Sequence, residues 1–282
     1  MSNIDSGIPL IKDYDRLLGT GLFKSMEEYS GRFLSKNDGV LENYGRKWTR
    51  DPLHQWSRQW EYPYVFSKIN DYIHSSARAS GGTPTRILDA GSGATFFPYY
   101  LAANMQDAQV VCIDQDRTLP DIYASLQAPA GGKVKFELGS LHQLPFDDGE
   151  FDVVYCISVL EHTNNYHEII NEFRRVMKKD GILIVTFDIS IDGNADIPPE
   201  GAKKLIAAVH SRFKLCETVD YLALLENTYQ NNILSTHYIS QVNKMLLPWR
   251  YPRLTALKSL KKLKIPRSLL LNLTVCCCIF RA

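Results

Sequence analysis

From residue 86 to residue 190 short apolar runs alternate with amphipathic ones. RILDA (86–90), VVCID (110–114), FDVVYCIS (151–158) and GILIVTFDIS (181–190) are strand-length, mostly apolar and rich in β-branched residues. KVKFELG (133–139) alternates charged and apolar positions. These five runs predict five strands. Between them PYYLAANM (98–105) is compatible with a helix, and YHEIINEFRRVMKK (166–179) puts Ile169, Ile170, Phe173, Val176 and Met177 on one helical face. Its basic last turn and Gly181 mark a helix end. Strands apolar on both faces and separated by helices predict a parallel sheet covered on both sides. Right-handed crossovers then make it doubly wound, with ligands at the C-terminal strand ends.

Outside this block the pattern loosens. Residues 1–80 are polar, irregular and aromatic-rich, with Trp48, Trp56, Trp60, Tyr62, Tyr64 and Phe66 inside nineteen positions. SGGTPT (80–85) reads as a linker. Beyond 190, GAKKLIAAVHSRF (201–213) predicts a helix, FKLCETV (213–219) a sixth strand and LNLTVCCCIFRA (271–282) a seventh, with 220–265 as an insertion. The expected organisation is a cap or lid over 1–80 and a main domain over 81–282 whose 220–265 insertion helps form a pocket. The aromatic block at 51–66 suits a lid that excludes water, burial against the sheet's helices, or both at once.

Composition narrows the classes. The 282 residues carry 32 basic and 31 acidic side chains, so the whole-molecule field does not point to nucleic acid. No basic leader opens the chain, and no run reaches the roughly 20 apolar residues of a membrane helix. The six cysteines show no zinc-ligand spacing, and Cys276, Cys277 and Cys278 read as buried hydrophobes. A reducing, cytoplasmic setting is the expectation. Residues 249–282 hold eight basic and no acidic residues, which suits a solvated amphipathic helix or docking on a membrane surface or a phosphorylated carrier.

The chemistry-bearing feature is the turn after the first strand. Asp89, Gly91 and Gly93 form D-x-G-x-G, and two glycines let the backbone come close to a ligand. A dinucleotide fingerprint requires glycine at position 96, which is Phe96. An acid ahead of the glycines suits an ammonium or sulfonium better than a pyrophosphate. Asp114 ends the second strand, where an acid accepts hydrogen bonds from ribose hydroxyls. The pair predicts an adenosine ligand with a positively charged amino-acid tail.

ILDAGSG (87–93), VVCID (110–114), GSLHQLPFDDGEFDVVYCISVLEHT (139–163) and FRRVMKKDGILIVTF (173–187), in this order, resemble the class I S-adenosylmethionine-dependent methyltransferases over about 85–190. The resemblance implies an α/β, Rossmann-like, seven-stranded sheet with an antiparallel last strand. It implies S-adenosylmethionine as cofactor, S-adenosylhomocysteine as product and no metal. Asp89, Gly91, Ser92 and Gly93 are then expected at the methionine end, Asp114 at the ribose and Gln115 beside the adenine. Ser140 and Leu141 take the adenine-contacting positions, and Cys156 and Ile157 contribute from the fourth strand. Ser140 stands where the family commonly has an acid, which weakens the expected adenine contact.

The expected activity is O-methylation of a small molecule or natural-product intermediate such as a polyketide, peptide or sugar. Carbon or nitrogen methylation, a lipid or quinone acceptor, and a non-catalytic cofactor-binding scaffold are the alternatives. An alcohol acceptor calls for a general base. His162, just past the fourth strand, is the first candidate, followed by Asp188, His54 and His237. Trp56, Tyr64 and Tyr229 are candidate acceptor contacts. No nucleic-acid partner and no integral membrane association are expected, and the oligomeric state is open.

Overall fold

The computed structural model describes residues 4–47, 51–75, 84–105, 107–128, 131–163, 165–193, 197–217, 232–247 and 271–282. Seven strands form one sheet in the order β3-β2-β1-β4-β5-β7-β6. They are β1 (Thr85–Ala90), β2 (Ala108–Asp114), β3 (Val134–Leu138), β4 (Phe151–Ile157), β5 (Met177–Ser190), β6 (Lys214–Leu215) and β7 (Leu273–Arg281). β1 to β5 are parallel, and β7 runs antiparallel to β5 and β6. The chain leaves β1 in one direction along the sheet and returns through β4 in the other. The switch point therefore lies between β1 and β4, where their C-terminal ends open a crevice.

Alternation along each strand divides the core in two. Ile87, Val110, Val153, Ile184 and Cys277 face one layer; Leu88, Val111, Val154, Val185, Cys276 and Cys278 face the other. The second layer is closed by α7 (Tyr166–Val176) and α8 (Pro199–His210), which turn Ile169, Ile170, Phe173, Val176, Leu205 and Val209 inward. The three C-terminal cysteines are thus core residues, with the Cys276 and Cys278 Sγ atoms 3.6 Å apart.

The first layer is built from the N-terminal region: α1 (Ile11–Leu18), α2 (Gly21–Lys36), α3 (Asp38–Lys47) and α4 (Arg58–His74). It also takes in α5 (Phe97–Asn104) and α6 (Leu119–Ser125). In α4 every residue from Gln59 to Ile69 is buried. A helix buried on all sides belongs to a core rather than to a surface. It packs on β4, β5 and β7. Tyr62 stacks on Phe97 with ring centroids 4.5 Å apart, and Tyr64 is fully buried with its hydroxyl 2.6 Å from Ser6 Oγ. The N-terminus joins the sheet too: Gly7 exchanges backbone hydrogen bonds with Cys277. Of the N-terminal aromatics, Trp56, Trp60, Tyr62, Tyr64 and Phe66 accordingly bury against the sheet and its helices, and Trp48 lies outside the described residues.

Two element boundaries differ from the sequence expectation. The helix predicted to Lys179 ends at Val176, and β5 begins at Met177, opposite Phe151. The register then jumps to Val153–Ile182, so 178–181 bulge out of the ladder. Gly181 is needed for close approach rather than as a helix stop: a Cβ there meets the Asp152 carbonyl at 2.8 Å. The sixth strand shrinks to two residues because the remaining β7 edge is taken by Gly7 and Ser235. Within the expected insertion, 232–247 are described and include α9 (Thr236–Val242). The rest of 220–265, and most of the basic C-terminal stretch, lie outside the described residues. Among the described residues no helix is long and apolar enough to cross a membrane, and no cluster of His, Cys, Asp and Glu is placed to hold a metal ion.

Candidate functional site

The glycine turn sits at the switch point. Gly91 and Gly93 both have positive φ, 81° and 53°, a region open to glycine at little cost. The Gly91 and Ser92 amides bond the Ile113 carbonyl at 2.9 and 3.1 Å, which ties the turn to the end of β2. Asp114 accepts from Gly93 N–H at 3.0 Å and from Asp116 N–H at 2.9 Å. A carboxylate offers about four lone-pair sites, so two remain for a ribose diol. The Tyr123 hydroxyl on α6 donates to the Gly93 carbonyl at 2.8 Å and fixes the turn from below.

Gly91 has a second constraint. A Cβ there falls 2.6 Å from a Val159 methyl, in addition to the strained φ. Gly91→Ala is expected to destabilise the protein by about 1–3 kcal/mol. Adding Val159→Ala relieves the clash but not the φ, so denaturant titration should show partial recovery. Full stability in the single variant contradicts this packing.

Asp89 is 5% exposed and lies across the ladder from Tyr155. Burial and the nearby Asp114 push its carboxyl up to about 8, against a downward pull from the Tyr155 hydroxyl, which makes no hydrogen bond of full geometry. A buried carboxyl held near neutrality in this way favours a cationic partner. Asp89, the glycine turn and Asp114 together fit an adenosyl amino acid. Of the adenine-side positions, Gln115 is exposed, Leu141 is buried and the Ser140 hydroxyl accepts the His142 N–H at 3.2 Å. Ser92 and Cys156 are buried, and Ile157 is half-buried at the end of β4.

Three features escape the sequence patterns. Tyr44 reaches from α3 to the glycine turn, where its hydroxyl accepts the Ala94 N–H at 3.0 Å. Burial and the Asp114, Asp116 and Asp89 carboxylates push this phenol up to about 12 despite the Ala94 bond.

The second is a polar network in the N-terminal layer. The fully buried Glu61 accepts from Arg58 Nη1 and Thr186 Oγ1, and from Ser158 Oγ at 2.8 Å. Arg58 Nη1 also donates to Ser158 Oγ at 2.7 Å. Ser158 is the one described non-glycine residue with positive φ, at 48°. Strain of this kind persists where neighbours over-determine the backbone. Arg58 and Glu61 lie three apart in an otherwise aromatic segment, and that spacing was the available signal.

The third is Glu161, in a 3-10 turn spanning Leu160–His162. Its Oε1 accepts the Asp188 N–H at 3.1 Å, while its buried Oε2 has no partner. Burial and the Asp188 charge hold the Glu161 carboxyl well above the usual carboxylate range.

The expected bases separate in space. Asp188 is half-buried at the C-terminal end of β5, beside Glu161. His162 is exposed, on the same turn as Glu161. His54 is exposed and pairs with Asp51 at 2.7 Å and Glu27 at 3.4 Å, which raise its pKa. His237 is exposed on α9, 3.1 Å from Gln241. Of the expected acceptor contacts, Trp56 and Tyr64 are buried in the N-terminal layer, and Tyr229 lies outside the described residues.

A family model described as a methyltransferase domain matches residues 88–185, from β1 to β5. An uncharacterized methyltransferase, YcgJ of Bacillus subtilis, is 28% identical over 97 residues, 34% of this chain and 38% of the relative. A malonyl-acyl-carrier-protein O-methyltransferase of Laribacter hongkongensis is 31% identical over 108 residues, 36% of each chain. The matched stretch thus spans well under half of either relative. Among solved structures the SpnF (4+2)-cyclase covers 98% of both chains at 18% identity, with a TM-score of 0.49. Residues 88–185, with the acid–glycine turn and Asp114 at adjacent strand ends, carry a methyltransferase domain, and the chain is similar to S-adenosylmethionine-dependent methyltransferases over that stretch.

Proposed function

We propose that this chain transfers the methyl group of S-adenosylmethionine to an oxygen of a small acceptor. The cofactor supplies an electrophilic methyl on a sulfonium. Asp89 would face the positively charged tail, Gly91, Ser92 and Gly93 would bring backbone close to it, and Asp114 would take the ribose. At the neighbouring ends of β4 and β5, Asp188 stands next to Glu161, a carboxyl whose buried Oε2 lacks a partner. That adjacency of two carboxyl groups, one with a buried oxygen that lacks a partner, is the observation that supports an O–H acceptor. Glu161 holds the Asp188 backbone, and Asp188 would remove the acceptor proton as the new O–C bond forms. The aromatic layer over α4 would keep water from the site.

The first test is ligand-dependent stability, comparing S-adenosylmethionine, S-adenosylhomocysteine, NAD and ATP. A ligand at a hundredfold its dissociation constant adds about 2.7 kcal/mol. Stabilisation by the two adenosyl amino acids alone is expected, followed by label transfer from methyl-labelled cofactor onto hydroxylated acceptors. Stabilisation by NAD instead overturns the reading of the turn. Tight cofactor binding with no transfer across alcohol, amine and carbon acceptors favours a scaffold.

A further inference from the structure

A cleft of about 440 Å³ opens in the first layer between α5 and α6, over the edge strand β3. α6 has only seven residues, about 10 Å of helix, whereas the five residues of β3 run for about 17 Å. The helix is too short to cover the strand, and Val134 and Phe136 line the space it leaves. Tyr99 of α5 and Tyr123 of α6 form its walls. Tyr123 lies nearly parallel to Phe136, with centroids 4.4 Å apart and planes at 21°, and to Tyr99, at 6.4 Å and 27°. Three flat rings thus flank the cleft in one orientation. Phe33 of α2 packs on Tyr99 at 5.4 Å. The Asn37 side chain accepts the Gln127 N–H at 2.7 Å and donates to the Gln127 carbonyl at 3.0 Å, next to Leu126 at the rim. The walls are therefore held before any ligand arrives.

None of the residues that line the cleft is charged. A charged ligand would lose its hydration there with no ion to replace it. Ring faces reward a stacked aromatic beyond the area it buries. The volume falls in the range of small-molecule sites, roughly 300–1,000 Å³. The cleft is separate from the expected ribose and adenine positions, since Asp114, Gln115, Ser140 and Leu141 do not line it. Tyr123 connects the two places. Its ring is a wall of the cleft, and its hydroxyl donates to the Gly93 carbonyl at 2.8 Å. A ligand stacked on that ring restrains the side chain that holds the glycine turn, so less ordering is left for a cofactor to impose.

We propose that this cleft binds an uncharged, planar aromatic molecule of two or three rings, and that its occupancy tightens the glycine turn through Tyr123. The second half rests on the reading of that turn as an S-adenosylmethionine cradle; the first half stands without it.

Calorimetry on the wild type would compare coumarin, which has no hydroxyl to methylate, with its saturated counterpart octahydrocoumarin and with coumarin-3-carboxylate. Coumarin is expected to bind, octahydrocoumarin about three- to tenfold more weakly for want of ring faces, and the carboxylate more weakly than coumarin. Ala124 lines the cleft from the exposed side of α6. Ala124→Phe fills that space and should abolish coumarin binding while affinity for S-adenosylhomocysteine, measured without coumarin, holds. Saturating coumarin should raise the wild-type affinity for S-adenosylhomocysteine by about fivefold or more, and the homocysteine ligand should raise that for coumarin by the same factor. Tyr123→Phe keeps the ring and removes the hydroxyl, so it should bind coumarin and show no coupling. The ligand preference and the reciprocity are read on the wild type and remain should a variant fold poorly. No binding of coumarin, equal binding of coumarin and octahydrocoumarin, or undiminished coumarin binding by a folded Ala124→Phe protein overturns the site. Unchanged homocysteine affinity at saturating coumarin overturns the link through Tyr123. Failure of the wild type to bind S-adenosylhomocysteine at all overturns the cradle reading instead, and leaves the preference for coumarin intact.

Discussion

Asp114→Ala is expected to remove high-affinity binding of S-adenosylhomocysteine. The substitution deletes the two carboxylate lone-pair sites left for a ribose diol. It also deprives the Gly93 and Asp116 amides of their acceptor, so the turn loses one of its ties. Each hydrogen bond to a charged group contributes about 1.5–3 kcal/mol, so losing two weakens binding by about a hundredfold or more. Asp114→Asn keeps one carbonyl oxygen and should fall between the two. Calorimetry gives the affinities, and circular dichroism verifies the fold. A well-folded Asp114→Ala protein that binds within a few-fold of wild type would falsify the assignment of this residue to the ribose.

Asp89→Asn should move stability and binding in opposite directions. In the folded, ligand-free protein the Asp89 carboxyl is pushed up to about 8 from an ordinary 3.8, chiefly by burial. The folded state therefore keeps the proton through a range in which the unfolded chain has released it. The resulting stability is complete below about pH 4 and is lost as pH rises toward 8. Asparagine mimics the protonated form without that loss. The variant should match wild type near pH 4 and exceed it at pH 8–9, by on the order of a few kcal/mol. For a ligand that needs the ionised acid the slope reverses. Wild-type affinity for S-adenosylhomocysteine should rise with pH, by up to about tenfold per unit, and level off above 8. 5′-Methylthioadenosine should show no such slope, and Asp89→Asn should bind the homocysteine ligand weakly at every pH. Denaturant titrations and calorimetry across pH 4–9 test both halves. A variant no more stable than wild type at pH 9 excludes a buried, costly carboxylate at this position.

Most of the sheet was legible because its signals are local. VVCID and FDVVYCIS each contain the apolar density a two-sided strand needs, and each lies next to its turn. The error at 177–181 has the same origin: helical periodicity carried through Met177, while the pairing of Met177 with Phe151 that ends the helix depends on a strand 26 residues earlier. In the N-terminal region the aromatic clustering offered two outcomes. Packing of α4 onto β4, β5 and β7 supplies the burial, which is compatible with a water-excluding role.

The candidate site divides in the same way. Asp89, Gly91, Gly93 and Asp114 lie within 26 residues, and their chemistry follows from residue type and position at strand ends. The Asp89, glycine-turn and Asp114 arrangement was thus determined by the sequence itself, as were the seven strands and the methyltransferase domain over 88–185. Only the tertiary structure placed Tyr44 on the turn, set Glu161 against Asp188, and joined Glu61 to Ser158 and Thr186, which lie 97 and 125 positions away. Hydrophobic periodicity reports which face of an element is buried. It carries no information about which distant polar groups meet there, because those meetings follow from the crossing of packed elements.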